Sequence, residues 1–143
     1  MPRLLLLPSV NTYTHLLECY SFGQQLSLLG HLVHYGISQN YCHWAEQHGL
    51  AYSLIPELWE QGPTDHPNVS WFIDHDYVTR CIYEEIKLMQ RVNPHLVLAD
   101  FKYTTGISAR VAGIPLISLN IFSMLPRLGA NFFYLDHDGL PES

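Results

Sequence analysis

Charge is scarce in this chain. Of its 143 residues only 14% are Asp, Glu, Lys or Arg, against 48% hydrophobic. A sheet covered on both faces needs mostly apolar strands, which is one way to spend such a composition. The other is a surface buried against something that the chain does not contain. Basic residues are scarcer than acidic ones, 7 against 13, for a net charge of -6. No basic patch offsets phosphate repulsion, so nucleic acid is excluded as the expected partner, and an anionic membrane surface is disfavoured.

Cysteine is rare and unpatterned. Cys19, Cys42 and Cys81 are widely spaced, odd in number and form no CxxC, so free, buried thiols in a reducing compartment are expected. No apolar run approaches membrane-spanning length, and Leu4 to Leu7 is too short for a signal-peptide core. A cytoplasmic location and no membrane span are the expectation. Internal repeats and low-complexity tracts are absent as well. The first loop lacks GxGxxG, so dinucleotide binding is poorly supported. Asp74-His75-Asp76 and Asp136-His137-Asp138 carry ligand-type side chains, but neighbours on a helix point different ways and no HxxxH occurs. No metal site is expected, and Asp74 is read as a favourable negative charge at a helix start.

What the chain does have is alternation. The stretch from Arg3 to Gly36 opens with the apolar run Leu4 to Leu7, which reads as a buried strand. A polar loop, Ser9 to Thr14, follows. His15 then opens a helix with Leu16, Cys19, Tyr20, Phe22, Leu26 and Leu29 on its apolar face, Thr14 as its N-cap and Gly30 at its end. Gly23 inside this helix suits close helix–sheet packing. A second strand covers about Leu32 to Tyr35, a short helix Cys42 to His48, and a third strand Ala51 to Leu54. Pro56 to Asn68 reads as an irregular loop.

A long helix is expected from Ile73 to Val92, striped by Tyr77, Val78, Cys81, Ile82, Ile86, Met89 and Val92, and stopped by Asn93-Pro94. Its Glu84, Glu85 and Lys87 read as a solvated face. His95 to Ala99 is the next strand, with Asp100 at its C-terminal end. Thr104 to Ala112 is a short helix closed by Gly113, and Ile114 to Leu119 another buried strand. The length suits one domain, assigned to residues 1–121, with 122–143 as an extension. The fold class is α/β, a Rossmann-like doubly wound parallel sheet of strand order 3-2-1-4-5.

That order carries a functional expectation. It reverses between the first strand and the strand at His95, so the loops bearing His15 and Asp100 lie side by side at the C-terminal edge, where ligands bind. A His–Asp pair there suits general-base chemistry: neutral imidazole takes a proton from a hydroxyl, and the carboxylate fixes the tautomer and stabilises the imidazolium. The same residues also fit a plainer role, His15 capping the first helix and Asp100 the helix near Thr104.

Two segments resemble a known family. Gly30-His31, closing the first helix, matches a pair usual in GT-B fold glycosyltransferases of the UDP-glycosyltransferase and macrolide glycosyltransferase kind. Counting back from it places that family's catalytic histidine on His15. The segment PHLVLADFKYTTGISARVAGIPLISLN, Pro94 to Asn120, is similar to the family's strand, Asp, helix and Ala-Gly-Ile-Pro pattern, with its Asp on Asp100. The resemblance implies the N-terminal, acceptor-binding half of such an enzyme. It implies transfer of a sugar from a nucleotide-sugar donor, a UDP-sugar in the first family, to a hydroxylated small-molecule acceptor with inversion. His15 is then the base and Asp100 its orienting partner, with no metal and no cofactor beyond the donor as co-substrate.

Thr14, Trp59, Trp71 and Phe101 are the expected acceptor-binding residues. Trp59 and Trp71 flank the loop where an acceptor pocket would be built, and Trp44, Phe72 and Tyr77 suit core packing equally well. Thr14 stands where the family commonly has Gly, and the loop before it is about two residues longer. Nothing after Asn120 reads as a donor-binding domain, so a donor-binding domain or partner chain is expected to supply that half, the chain being a fragment, a subunit or inactive alone. A non-catalytic α/β binding module is the competing expectation.

Overall fold

The structure, a computed structural model, describes residues 1–9, 13–57 and 75–119. Five parallel strands form one sheet: β1 (Arg3–Pro8), β2 (Leu32–Ile37), β3 (Tyr52–Leu54), β4 (Leu96–Asp100) and β5 (Leu116–Leu119). Four helices accompany them: α1 (Tyr13–Leu28), α2 (Cys42–Gln47), α3 (His75–Val92) and α4 (Thr105–Ala112). The strand order is β3-β2-β1-β4-β5, as the alternation of elements predicts.

Parallel strands have side chains on two faces, and both faces here are covered. On one, Leu5, Leu7, Val97 and Ala99 pack with Leu88 and Met89 of α3 and Ala109 of α4. On the other, Leu4, Leu6, Tyr35 and Ile37 pack with Leu16 and Cys19 of α1 and Ala45 of α2. The pleat therefore sends odd-numbered residues of β4 toward α3 and even-numbered ones toward α1. Gly23 lets α1 sit close to the sheet: a Cβ there would lie 1.7 Å from the Tyr35 hydroxyl oxygen.

Several expectations are corrected. α1 begins at Tyr13, so Thr14 lies inside the first turn rather than at its N-cap. The buried stripe of α1 runs Leu16, Cys19, Gly23. Phe22 is exposed because at about 100° per residue it falls well off that stripe, and Leu29 is exposed in the turn just past the end of α1. Glu85 is not on a solvated face but fully buried, at 0% exposure. β5 is half-exposed rather than buried, with Ile117 facing outward, because it forms one end of the described sheet. Tyr77 is buried in α3, as expected of a core residue. None of the three cysteines is in a disulfide; Cys19 and Cys81 are buried and Cys42 is only half-buried. Trp59, Trp71, Phe72, Asp74, the Asp136–Asp138 run and the whole extension from 122 lie outside the described residues.

Candidate active site

β1 and β4 are neighbours, and Pro8 stands in register with Asp100. The Ser9 amide donates to the Asp100 carbonyl at 2.9 Å, which carries the pairing one residue past β1. α1 then returns over the sheet on the face that even-numbered β4 residues occupy. The result is the juxtaposition expected from topology: His15 Nδ1 lies 3.1 Å from Asp100 Oδ2. The Asp100 side chain is 4% exposed and that of His15 17%. With hydrogen on Nδ1 the ring donates to the carboxylate, and Nε2 keeps its lone pair.

Phe101 sets the other boundary of the histidine. Its ring stacks on the imidazole, centroids 5.2 Å apart and planes 4° from parallel. Its own backbone has φ +50°, a left-handed conformation that costs a bulky residue free energy. Its amide donates to the Leu119 carbonyl at 3.0 Å. Tyr103 packs edge-on against the same phenyl ring. Phe101 is thus largely buried beneath His15.

Glu18 is the neighbour that the sequence did not single out. It follows His15 by three residues on α1, which puts both on one helix face. Ligand atoms of His15, Glu18 and Asp100 all lie within 4.8 Å of one another, so these are the described residues able to share a metal ion. Burial raises the Asp100 pKa above the ordinary carboxylate value; His15 opposes the rise and Glu18 adds to it. Burial, with Asp100 and Glu18 adding to it, also raises the thiol pKa of Cys19, which keeps that thiol protonated. Glu18 was findable in the sequence as an acid one helical turn from His15.

Thr14 is exposed on α1 and lines an open groove of about 370 Å³ with Leu17, Glu18, Ser21, Phe22 and Gln25. Of these residues only Glu18 belongs to the cluster with His15 and Asp100, and neither of those two lines the groove. Of the residues expected to bind an acceptor, Thr14 borders this groove and Phe101 supports His15, while Trp59 and Trp71 lie outside the described residues. Trp44 packs among α1 and α2, with its ring against His48 and Tyr20.

On the opposite side of the β4–α4 loop lies a second polar cluster. The Lys102 ammonium pairs closely with Glu57 and lies 3.8 Å from Glu85. Thr104 and Ser108 donate hydroxyls to the two Glu85 oxygens, Ser108 at 2.6 Å. Burial works against the Lys102 ammonium, but Glu57 and Glu85 outweigh it and hold its pKa above the ordinary lysine value. Burial likewise raises Glu85, against the pull of Lys102 and both hydroxyls. A lysine so held stays charged and is no nucleophile.

No family model and no curated protein matches the chain. Solved structures do. The glycosyltransferase SsfS6 of Streptomyces sp. SF2575 is 21% identical with TM-score 0.63, the match covering 82% of this chain and 39% of that one. The spinosyn forosaminyltransferase SpnP is 19% identical with TM-score 0.66, covering 98% and 36%. The glycosyltransferase VinC, in complex with TDP, is 16% identical with TM-score 0.66, covering 96% and 39%. The likeness establishes the fold: a Rossmann-like α/β sheet of the kind found in GT-B glycosyltransferases. The chain spans 36–39% of the length of these three structures.

Proposed function

We propose that this chain is the acceptor-side domain of an inverting glycosyltransferase, with His15 as general base and Asp100 as the group that orients it. The observation that carries the reading is the 3.1 Å contact of His15 Nδ1 with a buried Asp100 at the C-terminal edge of the sheet. The contact leaves Nε2 to meet a substrate hydroxyl. The acceptor oxygen attacks the anomeric carbon from the face opposite the nucleotide. The new C–O bond forms as the bond to the diphosphate breaks, and the electron pair leaves with the nucleoside diphosphate. Nε2 takes the hydroxyl proton, and the imidazolium that results is stabilised by Asp100. Phe101 holds the ring plane through its stacked contact.

The donor is a nucleotide sugar. SsfS6 is also known in complex with thymidine diphosphate, as VinC is with TDP, so thymidine and uridine diphosphate sugars are the classes to offer. Donor binding is supplied outside these residues, by a donor-binding domain or a partner chain. The groove along Thr14, Leu17 and Phe22 sets two apolar side chains among the polar Glu18, Ser21 and Gln25, which suits an acceptor with both apolar surface and a hydroxyl.

The test joins or mixes the chain with a GT-B donor-binding domain and measures nucleoside diphosphate release with hydroxylated acceptors. His15→Ala should lower kcat/KM by about 10²- to 10⁴-fold, the usual worth of a positioned base. Turnover unchanged in His15→Ala would remove the base assignment. No turnover with any donor domain would favour a non-catalytic α/β binding module.

A further inference from the structure

Lys102 is two residues beyond Asp100, so in a continuing strand both side chains would share a face. They do not. Asp100 meets His15 of α1, whereas Lys102 meets Glu85 of α3 on the opposite layer. The side change occurs at Phe101, whose φ of +50° is the left-handed value. A non-glycine residue keeps that conformation only where its surroundings over-determine it.

The surroundings are visible. Before Phe101, the Asp100 carbonyl is held by the Ser9 amide. After it, the Lys102 side chain, 2% exposed, is anchored to Glu57 and Glu85. Thr104 and Ser108 then fix both Glu85 oxygens to the start of α4. Glu57 is itself tied to α3, since the Tyr77 hydroxyl donates to its carbonyl at 2.8 Å. Three separate segments therefore converge on one ammonium. The mechanism uses none of these groups, and a cluster of buried charges is poor evidence of a contribution to stability alone.

We propose that Lys102, Glu57 and Glu85 are positioning residues for the His15–Asp100 pair. They hold the loop in the shape that presents the Asp100 carboxylate to Nδ1 and the Phe101 ring to the imidazole face. The catalytic consequence rests on the reading of His15 as a base; the positioning itself does not, and it can be observed without turnover.

The experiment is a titration of the chain followed by long-range ¹⁵N–¹H NMR of the histidine rings, with His15 assigned by His15→Gln. Around His15 the titratable groups among the described residues are Asp100 of β4 and Glu18 of α1, both of which also act on the Cys19 thiol of α1. Asp100→Asn provides the reference shift in the His15 midpoint and tautomer ratio. The triple variant E57Q/K102M/E85Q removes the charges while keeping the volume. It should stay folded and reproduce at least half of that reference shift. Should the triple variant not fold, T104V/S108A loosens the same anchor without unpairing a charge and should move the midpoint in the same direction.

A folded cluster variant with the wild-type midpoint and tautomer overturns the proposal. An Asp100→Asn variant with wild-type His15 behaviour overturns the His15–Asp100 pairing itself, and the positioning with it. A clear Asp100→Asn shift without base activity in the joined enzyme would sink only the function reading.

Discussion

The His15–Asp100–Glu18 cluster and the Glu57–Lys102–Glu85 cluster stand on opposite sides of one loop. Both place carboxylates at the C-terminal edge of the sheet, yet they differ in how their charges are spent. In the first, Asp100 is buried but Glu18 is exposed and the His15 side chain is 17% exposed, and among the described residues the ring is hydrogen-bonded through Nδ1 alone. In the second, every charged group is buried, and the ammonium and both carboxylates are committed to partners within the cluster. Chemistry needs an unsatisfied atom facing solvent or substrate, and among the described residues it is the first cluster that keeps one. The sealed cluster has the more buried charges but the lesser capacity to react.

Substitutions in the two clusters and in one surface pair sharpen that contrast, in falling order of effect. Lys102→Met alone strands two buried carboxylates, and should cost about 3–5 kcal/mol of stability at neutral pH. The triple variant E57Q/K102M/E85Q should cost much less. Urea unfolding of both decides it: equal losses would mean that charge pairing is not what the cluster supplies. Alkaline titration of the wild type adds a sign. The Lys102 pKa is raised, so its contribution is complete below the ordinary lysine value of 10.5 and is lost as pH climbs through the higher folded value.

Asp100→Asn should act in the opposite sense. Burial raises Asp100, so its ionised form destabilises the fold. The cost is absent below the ordinary value of 3.8 and grows as pH rises through the folded pKa, at about 1.4 kcal/mol per unit of separation. The stability of Asp100→Asn relative to wild type should therefore improve with pH from about that value upward and then level off. A difference that stays flat from pH 3 to 8 would place Asp100 in solvent, contrary to the comparison. The smallest effect belongs to an exposed pair outside both clusters. Lys87 lies 3.0 Å from Glu84, and Lys87→Ala should change stability by less than about 0.5 kcal/mol. A larger loss would mean that surface pairs in this chain behave like buried ones.

Much of the open cluster was legible in the sequence, because topology did the work. Alternating elements imply the strand order, the order implies a switch point, and the switch point puts His15 beside Asp100. Gly23 was legible for a similar reason, since a glycine inside an amphipathic helix asks for a close neighbour, here Tyr35. The sealed cluster was not legible. Glu84, Glu85 and Lys87 look like a solvated face because adjacent acids with a nearby lysine usually are one. Burial of Glu85 makes sense only once Lys102, Thr104 and Ser108 arrive from another element, and Glu57 arrives from a third. Phe22 and Leu29 misled in the opposite direction, one an apolar residue off the buried stripe and the other past the helix end. Thr14 misled by residue type, since Thr is a favoured cap whereas the helix begins at Tyr13, two residues before His15.

The left-handed turn at Phe101 has one more consequence. A single residue acts as the pivot between two layers of the molecule, so Asp100 and Lys102 are not independent positions. A rotation that relaxes the pivot swings the two side chains together, loosening the open pair and the sealed one in the same event. For anyone regrafting this loop or recombining it with another sheet, Asp100 through Lys102 is one indivisible part. A chimera with its crossover inside those three residues would inherit an aspartate and a lysine that no longer agree on which side of the sheet they belong.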